Sequence, residues 1–130
     1  MPNYSYDHIH LFSPDPLKTS QFYEEMFNAK MVSKRELADG RVSVELDLNG
    51  ARVLVAQGRA QAESSSVQSG LGYGLDHFGI QTDNLEAAVA GLKARGIEFR
   101  DEIREIRPGL KISFFWGPEN VLIELMERST

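Results

Sequence analysis

The chain of 130 residues contains no cysteine. That excludes a disulfide framework, a thiolate nucleophile and Cys-ligated zinc, so any metal must be held by nitrogen and oxygen. Long apolar runs are missing too: no window reaches the roughly 18 apolar residues of a membrane span. The opening Met1-Pro2-Asn3-Tyr4-Ser5 has no charged leader followed by an apolar segment. The expectation is a cytoplasmic protein with no membrane partner. Positive charge is sparse, the net charge is −5 and no basic run exceeds Lys34-Arg35, which argues against a nucleic-acid partner. What remains, 42% hydrophobic and 25% charged residues, is the composition of a single globular domain able to bury a core, and the charge balance favours a small neutral or metal-bridged ligand.

The chain repeats itself. Tyr6-Asp7-His8-Ile9-His10-Leu11-Phe12 and a following helical stretch reappear as Leu75-Asp76-His77-Phe78-Gly79-Ile80-Gln81 and a second one. Asn49-Gly50-Ala51-Arg52-Val53-Leu54-Val55 lines up with Glu119-Asn120-Val121-Leu122-Ile123-Glu124-Leu125. The offsets are 77 − 8 = 69 and 120 − 50 = 70, so a structural unit is duplicated. Module one covers about residues 1–57, a Gly-, Ser- and Gln-rich linker about 58–74, and module two about 75–130.

Alternation predicts strands over residues 5–12, 30–37, 41–48 and 51–57, with hairpin turns at Asp39-Gly40 and Asn49-Gly50. A helix is expected from Pro16 to about Asn28, where proline tolerates its missing N–H at the first turn. Module two follows suit: a strand at 75–81, a helix from Asn84 to Arg95 stopped by Gly96, then strands near 97–107, 110–116 and 120–127. The fold class is α+β, two βαβββ modules in tandem.

The two-residue period of a strand places Tyr6, His8, His10 and Phe12 on one face, His77, Gly79 and Gln81 on another, and Leu122, Glu124 and Met126 on a third. The opposite, apolar faces are left to cover the helices. A lone buried carboxylate at Glu124 would cost several kcal/mol. A divalent cation shared by His8, His77 and Glu124 would remove that penalty, and two histidines with one carboxylate form a facial metal set with open positions. Taken singly, each residue has a plainer role: a hydrogen-bonded structural histidine or a solvent-facing glutamate. His10, on the face of His8, is either a support for that site or its catalytic acid or base. Phe12, Gln81, Phe114, Trp116 and Met126 are expected to wall the substrate pocket, with Tyr6 and Phe115 as further possibilities, and core packing is the plainer role for any one of the apolar ones.

The segments Asp7-His8-Ile9-His10-Leu11-Phe12-Ser13-Pro14-Asp15-Pro16, Leu75-Asp76-His77-Phe78-Gly79-Ile80 and Phe114-Phe115-Trp116-Gly117-Pro118-Glu119-Asn120-Val121-Leu122-Ile123-Glu124-Leu125 resemble the vicinal oxygen chelate superfamily over essentially the whole chain. That superfamily includes glyoxalase I, methylmalonyl-CoA epimerase, fosfomycin-resistance enzymes, extradiol dioxygenases and metal-free bleomycin-binding proteins. The resemblance implies a cupped mixed sheet around the site, a homodimer, and metal ligands that map onto His8, His77 and Glu124. The ion would be Fe, Mn, Zn, Ni or Co. Two positions depart from the pattern. Leu54 stands where glyoxalase I and the epimerase have a fourth ligand, with Gln57 nearby in sequence. Phe114 stands where extradiol dioxygenases and glutathione-transferring fosfomycin enzymes tend to have a tyrosine. Three readings follow: a metal-dependent, glyoxalase-like enzyme doing non-redox lyase, isomerase or transferase chemistry on a substrate with neighbouring oxygens; a ferrous dioxygenase of extradiol type; or a metal-free, drug-sequestering protein.

Overall fold

The computed structural model describes residues 3, 5–58 and 73–129. The chain divides into two compact units, Met1–Glu63 and Ser64–Thr130, each carrying one copy of the repeat. Most of the linker expected at 58–74 lies outside the described residues.

Module one runs β1 (Ile9–Ser13), α1 (Pro16–Phe27), β2 (Lys30–Glu36), β3 (Val42–Leu48) and β4 (Ala51–Gln57). Its sheet has the order β1-β4-β3-β2, with β1 parallel to β4 and the other pairs antiparallel. Asp15 caps α1 by accepting from the Lys18 N–H at 3.2 Å, and Pro16 opens it. Asn28, in the left-handed region at φ 59°, closes it. Asn49 and Gly50 both take positive φ, 52° and 105°, as the tight turn joining β3 to β4 requires. The helix buries Pro16, Thr19, Ser20 and Tyr23, while Leu17 is 41% exposed. Against α1 the sheet presents a buried layer that includes Leu11, Val44, Leu46, Val53 and Val55. Each such side chain contributes about 1.5–3 kcal/mol when removed from water.

Module two repeats the plan with β5 (Phe78–Gln81), α2 (Leu85–Ala94), β6 (Arg104–Arg107), β7 (Leu110–Trp116), a 3₁₀ turn at Pro118–Asn120 and β8 (Leu122–Arg128). The order is β5-β8-β7-β6, with β5 parallel to β8. The two four-stranded mixed sheets with one helix each are the α+β tandem that the repeat implies. Asn84 caps α2 through the Ala87 N–H at 3.0 Å. Leu85, Val89 and Leu92 of α2 are buried on its side of the sheet, as are Phe115, Ile123 and Leu125.

Three boundaries differ from the expectation. Strand pairing begins at Ile9 and Phe78, so His8 and His77 each stand one residue before the ladder. Over 97–107 only Arg104–Arg107 forms a strand, with Phe99 making one isolated bridge to Phe115. Between them the Asp101 side chain accepts from the Phe114 N–H at 3.0 Å, and its carbonyl accepts from the Ser113 hydroxyl at 3.0 Å. A side chain there satisfies backbone that a neighbouring strand would otherwise pair.

Candidate metal and substrate site

Both histidines that end the repeated Asp-His pair are held in the same way. The Asp7 Oδ2 lies 2.6 Å from His8 Nδ1, and the Asp76 Oδ2 lies 2.7 Å from His77 Nδ1. An ionised carboxylate only accepts, so each Nδ1 carries a proton, and in the neutral imidazole the lone pair is then on Nε2. The His8 hydrogen bond, reinforced by the Arg52 guanidinium at 3.0 Å, holds the Asp7 carboxyl below the usual carboxylate range. This is the arrangement in which a carboxylate orients an imidazole for metal ligation.

In module two the structure brings His77 and Glu124 together, Nε2 to Oε1 at 3.3 Å. Two cis donors at about 2.1 Å from one ion are separated by roughly 3 Å, so this spacing fits a shared cation. The Glu124 side chain is only 14% exposed. Gly79 is its cross-strand neighbour: a Cβ there would stand 3.3 Å from Glu124 Oε1 and 3.5 Å from Met126 Sδ. The glycine leaves the carboxylate its space.

Within each module, among the described residues, no three His, Asp or Glu side chains form a metal-binding group. His8 lies in module one, apart in sequence from the His77 and Glu124 pair of module two. The donor chemistry nevertheless fits a cation, with a preoriented imidazole in each module and a carboxylate at cis spacing in the second.

The expected walls fall into two groups. Phe114, Trp116 and Met126 join Leu110, Ile112 and Leu122 in one apolar cluster on the sheet face turned away from α2. The Phe114 ring meets the His77 ring edge-on at 5.0 Å, and the Arg100 guanidinium covers it at 4.5 Å. Phe12 (62% exposed) and Gln81 lie open on the first strands of their modules. Phe115 does not belong with these. It is fully buried on the opposite face of β7, its ring 5.2 Å from Phe99. Tyr6 is 70% exposed.

Sequence reasoning missed the cavity in module one. A space of about 200 Å³ is lined by Asp7 and His8, by Ser33 and Arg35 of β2, by Ser43 and Glu45 of β3, and by Arg52 and Leu54 of β4. Glu45 pairs across the sheet with Leu54, which in turn pairs with His10. In module two the same row reads Phe114, Glu124, Gly79. The carboxylate has therefore moved one strand outward. Glu45 is 30% exposed, and its Oε2 is 3.4 Å from Arg52 Nε. The repeat offset, 114 − 45 = 69, was the signal that could have found it. Gln57 does not fill the Leu54 position: β4 has no bulge, and the Gln57 amide oxygen accepts from the Val42 N–H at 3.3 Å. The His10 and Phe12 rings pack tilted with centroids 4.9 Å apart, and partial burial, followed by His8 when it is charged, lowers the His10 pKa.

No described helix is long and apolar enough to cross a membrane. Human mitochondrial methylmalonyl-CoA epimerase is 29% identical over 125 residues, 92% of this chain and 71% of the epimerase. A glyoxalase family protein from Enterococcus faecalis superposes with a TM-score of 0.77 at 21% identity, covering 95% of this chain and 97% of its own. The fosfomycin resistance protein FosX from Listeria monocytogenes, solved with Mn(II) and sulfate, gives 0.72 at 20% identity, covering 96% and 93%. The sequence pattern of one superfamily matches residues 5–125, and with the paired modules it places this chain in the Glyoxalase/Bleomycin resistance protein/Dioxygenase superfamily.

Proposed function

We propose that the chain is an enzyme that holds a divalent transition metal through His8, His77 and Glu124 and acts on a small substrate with two neighbouring oxygens, in non-redox chemistry of the lyase, isomerase or transferase kind. The observation that carries this reading is the duplicated Asp–His pair, with Nδ1 to carboxylate distances of 2.6 and 2.7 Å, together with Glu124 at 3.3 Å from His77 Nε2. The Mn(II) in the FosX structure supports a divalent ion of this kind. His8 completes the set either within one chain or between two chains of a homodimer. When bound, the ion supplies Lewis acidity toward negative charge developing on the substrate oxygens.

The chain's own residues handle the protons. Asp7 and Asp76 keep the imidazole protons on Nδ1 and the lone pairs on Nε2. Glu45 lines the cavity beside His8, its Oε2 3.4 Å from Arg52 Nε, and is the carboxylate placed to take a proton from substrate or from an attacking water. His10, on the same face, is a second proton carrier or hydrogen-bond donor to the substrate. Phe12, Gln81, Phe114, Trp116 and Met126 are proposed to exclude water around the reacting atoms. The similarity to an epimerase favours an enzyme, but Leu54 cannot ligate or move a proton, so the epimerase's reaction is not carried over. The absence of a phenol at Phe114, beside His77, sets ring-cleaving chemistry behind the non-redox reading.

Elemental analysis of protein purified without a chelating tag tests this directly. One equivalent of a divalent metal is expected, with His77→Ala and Glu124→Gln reducing metal affinity by at least about a hundred-fold. Glu45→Gln should keep the metal yet lower turnover by roughly 10²- to 10⁴-fold, on a substrate found by screening small diols, epoxides and hydroxy-carbonyl compounds. Metal content unchanged by His77→Ala would overturn the proposal.

A further inference from the structure

The face of module one turned away from α1 carries two guanidinium groups in opposite circumstances. Arg52 is committed between carboxylates, 3.0 Å from Asp7 Oδ1 and 3.4 Å from Glu45 Oε2. Arg35, on β2, has no carboxylate within ion-pair distance among the described residues, although it lines the same cavity. Its partner across the ladder is Ser43, which is buried at 8% exposure and also lines that cavity. Ser33, two residues along the same strand face, adds a second hydroxyl.

The internal symmetry supplies a control. Arg104 occupies the equivalent place in module two, since 104 − 35 = 69 and it pairs with Ile112 as Arg35 pairs with Ser43. There, however, Asp101 Oδ2 lies 3.9 Å from the guanidinium and the facing residue is a buried isoleucine. One frame position thus holds an exposed, paired cation in module two and, in module one, an exposed cation with no described carboxylate at ion-pair distance that lines one cavity with two hydroxyls. A fork of N–H donors beside hydroxyls is the chemistry that receives an oxyanion, and Arg52 offsets one of the two carboxylate charges that Asp7 and Glu45 bring nearby.

We propose that Arg35, with the hydroxyls of Ser33 and Ser43, binds the anionic end of the substrate, a phosphate, phosphonate or carboxylate group, and so directs the rest of the molecule toward His8 and Glu45. This deepens the reading of the previous subsection and rests on it for the identity of the bound molecule as substrate. The cavity of about 200 Å³ suits a compact anion of a few heavy atoms.

The test titrates inorganic phosphate and, separately, malonate into the ¹⁵N-labelled full chain at constant ionic strength, in zinc-loaded and chelator-treated forms. Saturable shifts are expected at Ser33, Arg35 and Ser43 in both forms. Affinity should fall about ten-fold in Arg35→Gln, with partial retention in Arg35→Lys, and stay at the wild-type value in Arg104→Gln. A response to phosphate alone assigns a tetrahedral anion, and a response to malonate alone assigns a carboxylate. The proposal is overturned if neither anion saturates, if Arg35→Gln titrates as wild type, if Arg104→Gln loses as much, or if the shifts vanish on chelation. Metal content of the same samples separates the two claims: an anion site that needs Arg35 in a chain that takes up no metal leaves this proposal standing and ends the metal reading.

Discussion

Module one and module two share a frame but dress opposite faces differently. Toward their helices both present aliphatic and aromatic side chains, Val44, Leu46 and Val55 in one and Phe115, Ile123 and Leu125 in the other. On the far face, module one carries Ser33, Arg35, Ser43, Glu45 and Arg52, while module two carries Ile112, Phe114, Trp116 and Leu122 beside Glu124. The helix-side core is what the duplicated unit needs in order to fold, so it stays apolar in both. The far face is free to diverge, and the proposed metal pair, proton carrier and anion receptor are all drawn from it.

The largest expected effect comes from exchanging one equivalent pair, Arg52 and Leu122. Leu122 is 1% exposed within the apolar cluster, so Leu122→Arg should destabilise module two by about 4 kcal/mol, as an unpaired charge enters hydrocarbon. Arg52→Leu, on an exposed ion-pair network, should cost no more than about 1 kcal/mol. Urea midpoints measure both, and equal losses would erase the contrast between the faces. Gly79→Ala comes next. A methyl 3.3 Å from Glu124 Oε1 should push the carboxylate off His77 and weaken metal binding about ten-fold, read by competition with a metallochromic dye. Unchanged affinity would show that the space left by Gly79 is incidental.

A smaller contrast lies in the helices. Tyr23 is buried in module one where module two has Leu92, since 92 − 23 = 69, and burial pushes the Tyr23 phenol above its ordinary range. The folded pKa is raised, so this contribution is complete below the unfolded pKa of about 10 and is lost as pH rises beyond it, at up to about 1.4 kcal/mol per pH unit. Stability measured up to about pH 11 should fall with that slope in the wild type and lose the slope in Tyr23→Phe. The smallest effect is in the turns. Asn49-Gly50 of module one becomes Glu119-Asn120 in module two, with both residues still at φ 60°. Glu119→Asn should raise the thermal midpoint by relieving roughly 0.5–1 kcal/mol of left-handed strain.

Much of this frame was legible in the sequence because turn chemistry and repetition are local. Asn49-Gly50, Asn84 and Gly96 marked boundaries that the structure places within a residue or two. The irregular 97–103 segment was not legible, because its backbone is satisfied by the Asp101 side chain and strand alternation carries no trace of that. At the site, His8, His77 and Glu124 stood out through residue type and offset, whereas the aspartates that hold the imidazoles did not, because strict alternation sets Asp7 on the face opposite His8. Glu45 and Arg35 did not, since Ser43-Val44-Glu45-Leu46-Asp47 reads as an ordinary half-exposed strand. The register, which sets Glu45 beside Leu54 and Arg35 beside Ser43, gives them a role, and the repeat offset pointed only to the position of Glu45.

The position of β8 has a consequence for biosynthesis. It is an inner strand, flanked by β5 through parallel pairing and by β7 through antiparallel pairing, yet it comes after both of them in the chain. Until those residues leave the ribosome, β5 and β7 have exposed edges with no partner, and such edges recruit strands from other molecules. Phe78 and Ile123 pair across 123 − 78 = 45 residues, a long-range closure of the kind that slows folding. Since Glu124 arrives on the same strand, completing the sheet and completing the proposed ligand pair are one event, and a chain cut short of it would lose both together.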